Sequence, residues 1–219
     1  MSALIQRLKH PVVRLLSVFT GPRIVYGWRN ADGTWCEHTR VSTHSCIEGR
    51  EKLVLQDHVF IGHFNRIDGS NGLLIEEGVQ VTNYASILSH SSHQAVRVMG
   101  RRYANDPNPL GYVRKATRIG AYSFIGPHSV IAPGAQVGKG VIVQGYSFVS
   151  GAVPDFAIVA SREHGRRAEV IGDTRELDRA LLQRHPELHA LYAHWAGKDH
   201  LRRALNGGAE ASATQKGHA

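Results

Sequence analysis

The sequence predicts an all-β solenoid with a C-terminal helical segment, and three observations carry that prediction. An aliphatic residue returns at every sixth position, Ile119, Ile125, Ile131, Val137, Val143 and Val149, without a slip. The position after it is mostly small (Gly120, Gly126, Ala132, Gly138, Gln144, Ser150), and the fifth is small or aliphatic (Ser123, Ser129, Ala135, Val141, Ser147, Val153). Upstream, the same spacing recurs in shifted phases: Val41, Ile47, Leu53, then Leu55, Ile61, Ile67, then Ile75, Val81, Ile87. Neither the helical period of about 3.6 nor the strand period of about 2 explains this frame. A fixed short period marks a stacked repeat whose units bury their apolar sides against their neighbours. The natural unit is a short strand plus a tight corner, with the aliphatic residue pointing inward and the small one letting the backbone turn. Three such strands close a triangular coil, so residues 119–154 supply two coils. Each upstream phase change marks a bulge or insertion at a corner.

The elements follow in order. Residues 1–35 read as an N-terminal helix and a turn-rich lead-in, with a hairpin at Asp32-Gly33. The helix mixes Arg7, Lys9 and Arg14 with Leu4, Ile5, Leu8, Val12, Leu15 and Leu16, a pattern suited to capping the end of a solenoid. Peripheral contact with a membrane surface is the alternative use of such a helix. The stretch has no long apolar core or small-residue cleavage site, so no secretory signal is expected.

Residues 36–173 form the solenoid domain, interrupted by a protruding loop over about 89–117. There Pro107, Pro109 and Gly111 argue for extended chain rather than helix. A long loop in a repeat protein usually marks the binding face. Pro154 begins the exit from the coil.

Residues 174–206 read as helical. Thr174 stands as N-cap, Asp178 lies in the first turn, and Leu177, Leu181, Leu188, Leu191, Tyr192 and Trp195 follow one face. Pro186 breaks the helix. The tail 207–219 has almost nothing to bury and is predicted disordered.

Composition narrows the function classes. Of 219 residues 42% are hydrophobic and 20% charged, which fits a globular protein, and no apolar run approaches a spanning helix. The formal charge of +8 suggests an anionic partner. The basic residues are scattered and carry no aromatic-basic signature, so nucleic acid is not expected. Cys36 and Cys46 show neither metal nor redox spacing, and a reduced, cytoplasmic protein is the expectation.

The candidate chemistry sits where the loop opens, in "ILSHSSHQ". Taking a proton from a substrate near neutral pH needs a base, and histidine's unperturbed pKa of about 6.5 suits that task. His90 and His93 are both candidates. Asn65, Asp68 and Asn83 are candidates to accept a hydrogen bond from the other ring nitrogen.

The repeats and this loop resemble the hexapeptide-repeat acyltransferases over about residues 41–173, and most closely the branch that acetylates sugars and polysaccharides. The resemblance implies a left-handed parallel β-helix, a homotrimer, and acetyl-CoA bound in a groove between neighbouring subunits. It implies transfer of acetyl to a sugar or glycan hydroxyl, of a bacterial surface polysaccharide or its precursor. The family's histidine follows an aliphatic-position residue by five, as His93 follows Leu88, which favours His93 as base and leaves His90 as partner or second choice. Asn65 resembles a family position that meets the acceptor and Phe124 an aromatic near the acetyl site. Beyond the resemblance, Asn83 is a further candidate to bind substrate and the basic loop of Arg97, Arg101 and Arg102 to lie near an acidic sugar. Ala132, Gly145 and Ser150 would line the cofactor groove.

The chain also departs from the family. Ser150-Gly151-Ala152 stands where relatives carry a Thr-Lys-Asp segment, so the lysine that meets a CoA phosphate is absent. Arg162, Arg166 and Arg167 are candidates to replace it.

Three other readings stand beside this one. The first is an N-acetyltransferase of an amino sugar or antibiotic. The second is a zinc carbonic-anhydrase-like site from His63, His90 and His93. The third is a non-catalytic trimeric scaffold. No metal is expected on the main reading.

Overall fold

The computed structural model describes residues 20–163 and 165–207. The N-terminal helix expected within residues 1–19, and the tail from residue 208 onward, lie outside the described residues. The chain enters through an antiparallel hairpin of β1 (Ile24–Arg29) and β2 (Trp35–Ser42) around the Asp32-Gly33 turn. The first coil is β2, β3 (Cys46–Glu48) and β4 (Leu53–Leu55), and the second is β5 (Phe60–Ile61), β6 (Arg66–Asp68) and β7 (Leu73–Ile75). The third coil runs through β8 (Gln80–Val81) and β9 (Ser86–Ile87). It then leaves by a small hairpin, β10 (His90–Ser91) with β11 (Val113–Arg114), before closing with β12 (Thr117–Ile119).

The fourth coil is β13 (Phe124–Ile125), β14 (Val130–Ile131) and β15 (Gln136–Val137). The fifth is β16 (Ile142–Val143), β17 (Phe148–Val149) and β18 (Ala152–Val153). Then β19 (Ala157–Ala160) adds one more parallel strand, and β20 (Glu169–Asp173) turns back antiparallel to it. The coil therefore continues one strand past Pro154, later than the sequence suggests.

Equivalent strands stack into three sheets. The first face has strand order β1-β2-β5-β8-β13-β16-β19-β20. The second is β3-β6-β9-β14-β17 and the third β4-β7-β12-β15-β18. Every pairing between coils is parallel and in register, as Ile61 with Val81, Ile125 with Val143, and Ile131 with Val149. The aliphatic frame fills the interior: Ile61, Ile67, Ile75, Ile87, Ile119, Ile125 and Ile131 have no exposed surface. Serines at the fifth position also point inward and bond the next coil's backbone. Ser123 Oγ donates to Gly138 O at 2.9 Å and Ser129 Oγ to Gln144 O at 3.0 Å. The small second position has a steric cause. A Cβ on Gly120 would lie 2.5 Å from the Gly138 carbonyl carbon, and one on Gly126 would lie 2.5 Å from Gly145 N.

The phase changes all fall at one corner, between the second and third faces. From the last inward residue of the second face to that of the third, the chain takes eight residues (Ile47 to Leu55, Ile67 to Ile75). It then takes thirty-two (Ile87 to Ile119), six (Ile131 to Val137) and four (Val149 to Val153). The other two corners keep the hexad throughout, up to β19. One edge of the prism is thus free to vary, and the long loop is its largest variation.

Two local expectations are corrected. The loop holds a short helix, α1 (Ala95–Met99), followed by a 3₁₀ segment, Gly100–Asn105. Its prolines come only after that segment and leave "AVRVM" free to coil. In the C-terminal segment the N-cap of α2 (Thr174–Arg184) is Asp173, whose carboxylate accepts from Arg175 N at 2.8 Å. Thr174 is the first helical residue and its hydroxyl donates to Gly140 O at 2.9 Å.

After the break at Pro186 come α3 (His189–Ala196) and α4 (Lys198–Asn206). Leu182, Tyr192, Ala196 and Ala204 form a second small core with Phe156. Leu177, Leu181 and Leu191, expected on the buried face, are largely exposed. This core is assembled by three helices across the end of the first face, so one stripe does not describe it.

Candidate active site

The variable corner carries a buried polar cluster. Asp68 ends β6 with no exposed surface. One carboxylate oxygen accepts from Ser70 N at 2.9 Å and from the Ser70 hydroxyl. The other accepts from Ser89 N and Ser89 Oγ, both at 2.9 Å, and lies 2.6 Å from His90 Nδ1. The imidazole approaches off the line of a well-aligned hydrogen bond, so the contact is a close polar approach to the carboxylate. Burial works to raise the Asp68 pKa, but the Ser70 and Ser89 hydrogen bonds outweigh it and hold the carboxyl well below the usual carboxylate range. Asp68 is therefore an anion at neutral pH. With that anion beside Nδ1, the ring proton belongs on Nδ1 and Nε2 is left as the acceptor.

The loop roofs this histidine. His90 sits in β10 opposite Arg114 of β11, and its ring stacks on Tyr112 at 5.6 Å and 10°. Tyr112 in turn stacks on Tyr103 at 6.2 Å, with the Arg114 guanidinium 4.4 Å from the Tyr112 ring centre. The backbone holds the base of the hairpin, since Lys115 N donates to Ser89 O at 3.0 Å. His93 stands differently. It is exposed, and its Nδ1 meets only Ser91 Oγ, at 2.8 Å.

The structure places the other expected residues at three locations. Ala132 and Ser150 follow β14 and β17 at the same corner as His90, one above the other. Arg167 lies beyond Phe148, to which it bridges in parallel, and its guanidinium reaches over Gly151 beside that corner. A pocket of about 400 Å³ lies there, lined by Ser150, Val153, Arg167 and Glu169 among others. Arg162 and Arg166 point to carboxylates instead, Glu169 at 3.5 Å and Glu163 at 2.7 Å. Arg167 has no ion pair among the described residues. Arg97 and Arg101 are exposed on the loop, on α1 and the segment after it.

Asn65, Asn83 and Gly145 lie at the first-to-second corner, away from His90. Asn65 is not available to a substrate: it is 2% exposed, and its amide bonds Gly62 O at 2.9 Å and Ala85 N at 2.7 Å. It is a corner staple. Asn83 is exposed and accepts from His63 N at 2.8 Å. Phe124 faces outward on β13 and lines a pocket of about 570 Å³ between the first face and the C-terminal helices. Within one chain it does not share a site with His90. His63 also sits at the first-to-second corner, against Ser42 Oγ at 2.7 Å, so His63, His90 and His93 do not converge within one chain.

Sequence reasoning favoured His93 with His90 as second choice, and named Asp68 among three possible acceptors; it did not anticipate Ser89, Tyr103 and Tyr112 around His90. The signal for Asp68 was present: an acid beside an inward aliphatic, in "RIDGS", must find several donors. Nothing in the sequence marks Tyr112 as lying over His90.

Residues 116–151 match the family described as bacterial transferase hexapeptide (six repeats). Among solved structures, AntD, an N-acyltransferase from Bacillus cereus in complex with dTDP and 3-hydroxybutyryl-CoA, is similar to this chain with a TM-score of 0.51. The likeness covers 68% of this chain and 89% of AntD at 16% identity, and it shows the fold. The acetyltransferase domain of PglB from Neisseria gonorrhoeae FA1090 gives a TM-score of 0.37 at 13% identity, over 61% of this chain and 57% of its own. No curated protein matches the sequence. Among the described residues no helix is long and apolar enough to cross a membrane.

Proposed function

We propose that this protein transfers an acetyl group from acetyl-CoA to a sugar hydroxyl, as a homotrimer with left-handed coils, and that His90 is the base. The observation that carries the reading is the 2.6 Å pairing of His90 Nδ1 with the buried Asp68 carboxylate, at the mouth of the loop. His90 Nε2 takes the hydroxyl proton as that oxygen attacks the thioester carbonyl. The tetrahedral intermediate then collapses, expelling the CoA thiolate, which takes the proton back from the imidazolium. Asp68 stabilises the imidazolium while it lasts. His93, Arg97 and Arg101, all exposed on the loop, are then left to contact an acidic sugar.

The donor fits the same edge of the prism. From His90 past Ala132 and Ser150 to Arg167 is three inter-strand steps, about 14 Å. The side chains between are small, leaving backbone groups open to a pantetheine arm. Arg167 at the far end is then the phosphate contact that stands in for the missing lysine.

A second reading is favoured by one observation. AntD is an N-acyltransferase and binds dTDP, so an amino sugar carried on a nucleotide is the competing acceptor. An amine also loses its proton to a base after attack, so His90 and Asp68 serve either reaction.

Calorimetric titration with acetyl-CoA, followed by acceptor-dependent thiol release, tests the proposal. Wild type and His90→Ala bind acetyl-CoA alike, whereas Arg167→Ala binds roughly tenfold more weakly, the loss of one charge-assisted contact. Turnover with hydroxyl sugars above that with amino sugars supports O-transfer, and the reverse order selects N-transfer. A folded protein that does not bind acetyl-CoA overturns the proposal.

A further inference from the structure

At the third-to-first corner, around the prism from the loop, His38, Asp57 and His58 bring two imidazoles and a carboxylate together. One ligand atom from each lies within 4.8 Å of the others. His38 Nδ1 is 2.9 Å from Asp57 Oδ2, and the two rings stack at 4.5 Å and 8°. Register places them there: His38 in β2 and His58 before β5 are equivalent positions of successive coils. Asp57 is held for the purpose. Its Oδ1 accepts the backbone N–H of His38 at 2.7 Å and of His58 at 2.9 Å, which turns Oδ2 toward the imidazoles.

The fold does not ask for this histidine. His58 adopts φ 59°, where glycine is favoured, and the same corner of later coils carries Gly78 and Gly140. Tyr122 and Phe156 also hold positive φ at this corner, but they pack against Trp195. Among the described residues, the ring of His58 stacks only on that of His38.

We propose that His38, Asp57 and His58 bind a divalent transition-metal ion of the Zn²⁺ class, tying the first coil to the second. Two imidazole nitrogens and one carboxylate oxygen suit such an ion, whereas Mg²⁺ and Ca²⁺ prefer oxygen ligands throughout. Zinc–nitrogen bonds of about 2.0–2.1 Å put tetrahedral ligands about 3.4 Å apart. The three atoms reach that by rotation of two exposed rings toward a fixed carboxylate, and the fourth position remains for water. The site is independent of the proposed acyl transfer, since His90 lies at another corner.

The test titrates the untagged, full-length chain, stripped of metal, with Zn²⁺ by calorimetry and follows its melting temperature. The visible spectrum with Co²⁺ reports the ligand set. The expected result is one Zn²⁺ per chain, with melting temperature rising as Zn²⁺ is added. His58→Gly is the decisive variant, because glycine suits that backbone and the protein keeps its fold. It is expected to bind at least ~10-fold more weakly and to lose the Zn²⁺-dependent rise. Absence of stoichiometric uptake by wild type overturns the proposal. So does uptake unchanged in both His58→Gly and His38→Ala, or uptake lost instead in His63→Ala or His90→Ala.

Discussion

A histidine is best placed to serve as base when a carboxylate faces one ring nitrogen and the other is open to substrate, and of the two loop histidines only His90 faces a carboxylate among the described residues. His90 has the Asp68 carboxylate on Nδ1 and Tyr112 over its face, whereas His93 has a serine hydroxyl. His90→Ala is therefore expected to lower kcat by ~10²–10⁴-fold, and His93→Ala by no more than a few-fold, in a thiol-release assay. Similar losses in both would mean that the loop rearranges on binding substrate. Asp68 gives a pH prediction as well. Its folded pKa is depressed, so its stabilising contribution is complete above the unfolded value of about 3.9 and is lost as pH falls through the folded one. Asp68→Asn destabilises at neutral pH, because one amide oxygen cannot serve donors on both sides. The gap between its melting temperature and that of wild type is expected to narrow as pH drops below about 4.

At the scale of the coil, the hexads between Ile119 and Val149 were legible because each position has one physical job. The first fills the interior, the second admits the next coil's backbone, and the fifth bonds it. Gly120→Ala puts a methyl against the Gly138 carbonyl and is expected to cost ~1–3 kcal/mol, read from the urea midpoint. Ile125→Ala empties a wholly buried site and is expected to cost ~2–5 kcal/mol. What the sequence could not show was which hexads stack on which. The shifts between Leu53 and Leu55, and between Leu73 and Ile75, announce insertions, but only register reveals that every one falls at the same corner as the loop. The pairing of Asp68 with His90 was hidden for the same reason: they are neighbours only because β6 lies beside β9. Leu177, Leu181 and Leu191 misled because the helices carry leucines on both sides, and only tertiary packing decides which side is covered.

The whole molecule is a stack in which each coil holds only its neighbours, so stability should run along the axis rather than around it. The fourth coil has a full coil on either side, while among the described residues the first is joined at its outer edge only to the β1 hairpin. Amide exchange should therefore be slowest around Ile125, Ile131 and Val137 and faster toward Ile47, which is already only half-buried. The proposed trimer adds a concentration dependence to this gradient. If subunits pack side by side, the mass in solution is three times the 24.1 kDa of the chain, and the melting temperature rises with protein concentration. Light scattering with melting at two concentrations a hundredfold apart checks both. A chain of monomer mass whose melting temperature does not move would remove the intersubunit groove, and the acetyl-CoA site would then have to be completed by the His90–Ser150–Arg167 edge alone.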